Sequence, residues 1–121
     1  MKVKIFSVAL LVLLIFSVAT NTIFLTRCID GILSDVEKLD TKNEKAWDHG
    51  GKIFENYKDA ESFLSLTVSH DDLADVNLYF TEMNAYLALG NPEEAAVAKS
   101  RLIDALTHLR RLSGFNFNAF L

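Results

Sequence analysis

Residues Ile5 to Leu25 make up 21 consecutive positions without a charge, behind Lys2 and Lys4. Fourteen are Ile, Leu, Phe or Val and two are Ala, while the polar five (Ser7, Ser17, Thr20, Asn21, Thr22) gather mostly toward the far end. At about 1.5 Å per residue, a helix of this length matches the ~30 Å hydrocarbon core of a bilayer. Its large apolar residues contribute roughly −4 to −8 kcal/mol of insertion free energy before polar costs. Residues 1–25 therefore read as a transmembrane helix or signal anchor, with the lipid bilayer as the partner of residues 5–25. Everything that follows has to be organised around a fixed point at the membrane.

The flanks set an orientation. Lys2 and Lys4 lie on one side, and Arg27 followed by Asp30, Asp35 and Glu37 on the other. The positive-inside bias then predicts a single-pass protein of the cell membrane with a cytoplasmic N-terminus and an extracytoplasmic C-terminal domain. A second template also fits. Two Lys, an apolar run to Phe16 and the small residues of Ser17-Val18-Ala19 resemble a secretory leader, whose cleavage near Ala19 would leave a secreted helical protein. Ile23, Phe24 and Leu25 prolong the apolar run beyond that point and no Pro or Gly interrupts it, which favours the anchor.

What remains of the 121 residues suffices for one small domain. The formal charge is −4 with Lys2 and Lys4 included, so the part beyond the span is more acidic still. Such a surface argues against nucleic acid and anionic lipid as partners of the domain. One Pro, five Gly and a half-hydrophobic composition argue for a folded chain rather than a disordered one. Cys28 is the only cysteine, so oxidation could join it only to another chain. Thr26-Arg27 before it do not match the small residues of a lipid-attachment signal.

Past the membrane the pattern turns amphipathic without a breaker. Ile29, Ile32, Leu33, Val36 and Leu39 recur at steps of three and four, one face of a helix over 26–40. The spacing predicts one rod from about residue 5 to 40, roughly 50 Å long at 1.5 Å per residue, with Gly31 as a place to bend. Its apolar stripe must be buried on the downstream helices or against a second copy. Thr41 and Glu44 have capping-box spacing and predict the next helix start. That helix carries Ala46, Trp47, Ile53, Phe54, Tyr57, Ala60, Phe63, Leu64 and Val68, and Gly50-Gly51 in its middle predict a kink or a close crossing. Ser69 and Asp72 repeat the box, opening a helix over about 70–89 with Leu73, Val76, Phe80, Met83 and Leu87 inward. Gly90-Asn91-Pro92-Glu93-Glu94 supplies a helix end, a cap, a first-position proline and two acids for the positive end of the next helix. The last helix then runs to about Leu112 before Gly114, with Val97, Leu102, Ile103, Leu106, Leu109 and Leu112 inward. Phe115, Phe117 and Phe120 alternate with Asn in the tail, either capping the bundle or docking on another protein.

The predicted fold is thus all-α. A transmembrane helix continues into a juxtamembrane amphipathic helix over 26–40, followed by a small antiparallel bundle of three helices over 41–121.

Chemistry-bearing patterns are sparse. His49-Gly50-Gly51-Lys52 lacks the longer glycine frame and the Ser or Thr of a phosphate loop. Asp71, Asp72 and Asp75 beside His70 crowd a helix N-terminus, where acids are favoured by the dipole, and lack the interleaved Gly and final Glu of a calcium loop. His49, His70 and His108 fall on three separate helical segments with no nucleophile motif beside any of them. No cofactor, metal or catalytic residue is expected, and the chain reads as a non-enzyme.

The layout from Trp47 to Leu121 resembles the bacterial domain-of-unknown-function family 4363, small membrane-anchored proteins of Gram-positive, mainly spore-forming bacteria. The similarity is carried by the Trp47 helix, His70-Asp71-Asp72-Leu73 followed by Val76 and Tyr86-Leu87, the turn into Glu93-Glu94-Ala95, and His108-Leu109 near the close of a Leu-rich helix. It implies a single-pass anchor with an external helical domain, and no activity. The Phe-Asn tail departs from that family's more charged ending.

Two functional expectations follow. The first is a membrane-tethered interaction or assembly module of the envelope, with Ile29, Ile32, Leu33, Val36, Phe115, Phe117 and Phe120 as contacts for a protein partner or a second copy. The second is an extracytoplasmic sensor that binds a small ligand between its helices, with Trp47, Tyr57, Tyr79 and Tyr86 as lining.

Overall fold

The computed structural model describes residues 2–65 and 68–120, with side chains described for all of these except 21, 22 and 113–120. The described residues form four helices and no strand: α1 (Lys2–Lys38), α2 (Ala46–Leu64), α3 (His70–Ala88) and α4 (Pro92–Phe120). One helix, α1, is long and apolar enough to cross a membrane.

α1 is a single helix of 37 residues, about 55 Å long at 1.5 Å per residue. It contains no proline, so nothing in its sequence forces a break at the end of the apolar run. Every side chain from Lys2 to Ser17 is exposed, whereas Leu25, Ile29, Ile32 and Val36 are buried in the domain core. The segment over 26–40 is therefore the first helix of the bundle rather than a separate juxtamembrane element, and the bundle has four helices instead of three. The stripe at steps of three and four finds its cover on α2 and α4, the two helices that touch α1.

The helices close a ring in which α1 lies beside α2 and α4, and α3 beside α2 and α4, while among the described residues the backbones of the diagonal pairs stay apart. Directions follow from cross-helix contacts. Lys99 Nζ donates to the Glu37 carbonyl at 3.1 Å and the Leu39 carbonyl at 2.8 Å, and Arg110 Nε lies 2.6 Å from Asp30 Oδ1. Ascending numbers on α4 thus meet descending numbers on α1. Gly50 meets Asn84, and Tyr57 meets Leu73 and Asn77, so α2 and α3 are antiparallel in the same way. α2 and α4 both run back toward the end of the bundle where Leu25 sits. The α1–α2 and α3–α4 connections form the opposite end, here called the tip.

The caps show which local signals prevailed. Ser69 is extended at ψ 150° and its Oγ accepts from the Asp72 amide at 3.3 Å, while donating to Asp72 Oδ2 at 2.6 Å. Gly90 takes φ +71°, where a side chain would be strained, and Asn91 Oδ1 accepts from the Glu94 amide at 3.2 Å. These two boundaries follow the sequence reading. The Thr41–Glu44 box does not form. Asp40 Oδ1 accepts from the Lys42 amide at 3.0 Å and Asn43 Oδ1 from the Lys45 amide at 2.9 Å, so two short side chains turn the backbone and postpone α2 to Ala46. α4 continues through Gly114 to Phe120 rather than ending near Leu112. A helical glycine costs only about 1 kcal/mol, and no proline follows to enforce a stop.

The core is one cluster threaded by all four helices. Tyr57 stacks on Phe80 at 5.2 Å between centroids, and Phe54 closes on Phe80 at 5.3 Å. Met83, Val76, Leu102, Leu106 and Leu109 complete it, each fully buried. At about 1.5–3 kcal/mol per large apolar side chain removed from water, this cluster dominates the stability of the domain. Gly50 is buried where α2 crosses α3, and a Cβ there would stand 2.2 Å from Asn84 Oδ1. The glycine pair therefore marks a close crossing at Gly50, while Gly51 beside it has open space.

Candidate functional site

The residues expected to meet a partner lie elsewhere than on a free surface. Ile29 and Val36 have no exposure, Ile32 retains 6%, and Leu33 packs against the core half-buried. Ile29, Ile32 and Val36 are thus covered by the chain's own helices, α2 and α4, and only Leu33 keeps part of its surface free. Phe115, Phe117 and Phe120 lie outside the residues whose side chains are described.

The four aromatics expected to line a ligand cavity do not converge. Tyr57 is fully buried, its hydroxyl donating to the Leu73 carbonyl at 3.4 Å and lying 3.5 Å from Asn77 Nδ2. Burial first, and the nearby Glu61 second, push its phenol well above the ordinary tyrosine range. Tyr79 is half-buried against the core. Tyr86 borders a groove of about 360 Å³ between α3 and α4, together with Glu82, Glu94 and Arg101. Trp47 alone stands out in solvent, with 59% of its surface exposed.

Helix geometry explains the position of Trp47. α2 buries Ala46, Gly50, Ile53, Tyr57 and Leu64. Each helical residue advances by about 100°, so the neighbour of buried Ala46 is turned off that line. Phe63, beside buried Leu64, is displaced in the same way and is 52% exposed. The apolar count of α2 thus overstates its core face by two aromatics. Trp47 rises at the tip between two grooves. One, of about 530 Å³, is bounded by Trp47, Asp48, Gly51, Lys52, Glu55 and Asn84. The other, of about 300 Å³, lies between the α1–α2 turn and the α3–α4 turn, with Trp47, Leu87 and Pro92 on its walls. Leu89, at 79% exposure, adds a second apolar side chain at the same end. An indole at the surface with a groove of mixed polar and apolar lining on either side is a shape suited to being covered by another molecule.

Several ionisable groups are tied into the scaffold. His108 Nε2 lies 3.4 Å from Asp72 Oδ1, the carboxylate that also serves the Ser69 cap. Lys99 sits on the last carbonyls of α1, where a cation opposes the negative end of the helix dipole. Arg110, near the far end of the bundle on α4, pairs with Asp30 of α1. Among the described residues no group of three or more His, Cys, Asp or Glu is placed to hold a metal ion. Cys28 is a free thiol, half-buried on α1.

No family model, curated protein or solved structure matches this chain.

Proposed function

We propose that the chain is a single-pass, membrane-tethered interaction or assembly module of the cell envelope, without catalytic chemistry, and that it meets its protein partner at the tip around Trp47. In this reading the N-terminus is cytoplasmic and the bundle extracytoplasmic, as the lysines before the span favour. The observation that carries the reading is Trp47 itself. A tryptophan left 59% exposed at the end of the bundle farthest from the apolar half of α1 contributes little to the core. Large aromatics of this kind are the residues that dominate binding energy when a partner covers them. Tethering supports the same role, because confinement to a surface raises effective concentration without any new contact. The resemblance to family 4363 is consistent with an anchor carrying an external domain.

Cross-linking and affinity capture from native membranes tests the proposal when Trp47→Ala is compared with Val97→Ala, an exposed apolar change on α4. A protein retained by the wild type and by Val97→Ala but lost by Trp47→Ala supports it. Equal recovery by all three removes the tip from consideration. Protease access to the bundle in intact cells tests the orientation separately.

The sensor reading draws on one specific feature, the groove of about 530 Å³ that Trp47 shares with Asp48, Lys52, Glu55 and Asn84. An aromatic wall with a few polar groups suits a small polar ligand. A ligand-dependent change in the emission of Trp47, the only tryptophan, would favour it.

A further inference from the structure

The anchor places a depth marker inside the bundle. If residues 5–25 fill the hydrocarbon, Phe24 lies within about one helical rise, ~1.5 Å, of its outer edge. Phe24 is 51% exposed and makes an edge-to-face contact with Phe63, centroids 6.0 Å apart and planes at 74°. Phe63 belongs to the last turn of α2, the helix that runs back from the tip, and is itself 52% exposed. Its contact with Phe24 holds the Phe63 ring within 6.0 Å of that depth. Ile23, one residue before Phe24, is exposed as well. The three form an apolar edge that the bundle leaves uncovered, at the level where headgroups give way to acyl chains.

We infer that α2 touches the bilayer directly: Phe63, held beside Phe24, is seated in the lipid interface, so the domain rests on the membrane as well as being attached to it. The occupant of this edge is phospholipid. Arg27 follows Phe24 by three residues, about 4.5 Å farther out at 1.5 Å per residue, which sets its guanidinium among headgroup phosphates. Lys58 and Glu61, just before Phe63 on α2, pair with each other at 3.0 Å and so add no net charge beside the seat. Zwitterionic lipid therefore suffices, and the net acidity of the domain is no obstacle. Leu25 reinforces the geometry, because it closes the apolar run and is already 1% exposed in the core, leaving no spacer between bundle and bilayer.

This inference rests on the anchor reading, and the test separates the two. The full chain carrying Cys28→Ala, with one new cysteine at a time (Phe63→Cys, Leu14→Cys or Leu89→Cys), is labelled with an environment-sensitive fluorophore and reconstituted into phosphatidylcholine vesicles containing spin-labelled lipid. All three positions are exposed, so labelling spares the core. The expected result is strong quenching at 14 in the span, quenching at 63 at least about twofold above that at 89, and a blue-shifted emission at 63, as an interfacial site gives. Quenching at 63 no greater than at 89, with 14 strongly quenched, overturns the seating and leaves the anchor standing. Absence of quenching at 14 overturns the anchor and the seating together.

Discussion

Two adjacent glycines in α2 should respond to the same substitution with opposite sign. Replacing glycine by alanine inside a helix gains about 1 kcal/mol from propensity alone, and this gain is common to both positions. At Gly51 nothing lies within 4 Å of the new methyl, so Gly51→Ala should keep the whole gain. At Gly50 the methyl would stand 2.2 Å from Asn84 Oδ1 and 3.3 Å from Leu87 Cδ1. Asn84 then has to swing away and give up the bond from its Nδ2 to the Gly50 carbonyl, 3.3 Å in the native fold. Losing that bond costs about 0.5–1.5 kcal/mol, and overpacking a crossing typically costs 1–3 kcal/mol. Set against the propensity gain, Gly50→Ala should come out destabilised by about 2 kcal/mol, roughly 3 kcal/mol below Gly51→Ala. For a domain of this size that separates the melting temperatures by roughly 15 °C. Thermal unfolding followed by circular dichroism in detergent micelles reads the difference. Placing both substitutions in an Asn84→Ala background should remove most of it, because the clash and the bond then vanish together. Equal stabilisation by Gly50→Ala and Gly51→Ala in the native background would refute the close crossing.

Other outcomes follow from single contacts. Lys99→Met strips the ammonium from the Glu37 and Leu39 carbonyls and should lower stability by about 1 kcal/mol, read as a fall in urea midpoint. Ser69→Ala removes the α3 cap and should cost about 1 kcal/mol, whereas Thr41→Ala, whose capping box does not form, should change the same midpoint by less than about 0.5 kcal/mol. Tyr57 is held neutral in the fold with a raised phenol, so only the unfolded chain ionises near the ordinary value of about 10. The folded state then binds more protons than the unfolded one at higher pH, and stability should fall as pH rises above ~10. Melts from neutral to alkaline pH should show a shallower decline for Tyr57→Phe, from a starting point lowered by loss of the bond to Leu73. Trp47, being exposed, should emit close to free tryptophan and be quenched readily by acrylamide. A blue-shifted, protected signal in the isolated protein would contradict the described tip.

The boundaries that the sequence revealed are those decided by neighbours along the chain. Ser69 with Asp72, and Gly90-Asn91-Pro92, each complete a cap within four residues, so their chemistry needs no knowledge of the fold. Thr41 with Glu44 has the same spacing, yet Asp40 and Asn43 compete for nearby amides and win. Periodicity located the core of α3 closely, since Leu73, Val76, Phe80 and Met83 are buried as their spacing requires. It misplaced Trp47, Phe63 and Val97, the last 47% exposed, because apolar character was counted without the ~100° step that turns each away from its buried neighbour. The partner stripe of α1 failed for a different reason. Spacing shows that Ile29, Ile32 and Val36 must be covered, but not by what, and only the packed structure supplies α2 and α4. The glycine pair announced an interhelical approach, and Asn84 on the far side of it has no signature in sequence.

Leu25 is at once the last residue of the greasy segment and a member of the packed interior. A protein built this way has no hinge at its foot. With α1 inserted, the pitch and azimuth of the bundle are dictated by the rod that crosses the lipid. On the proposed anchoring, the stretch from Leu25 to Lys38 would raise the indole of Trp47 only ~20 Å off the hydrocarbon, at 1.5 Å per residue. The proposed partner would then have to work in that shallow layer, as a neighbour in the same sheet of lipid or a body lying flat upon it.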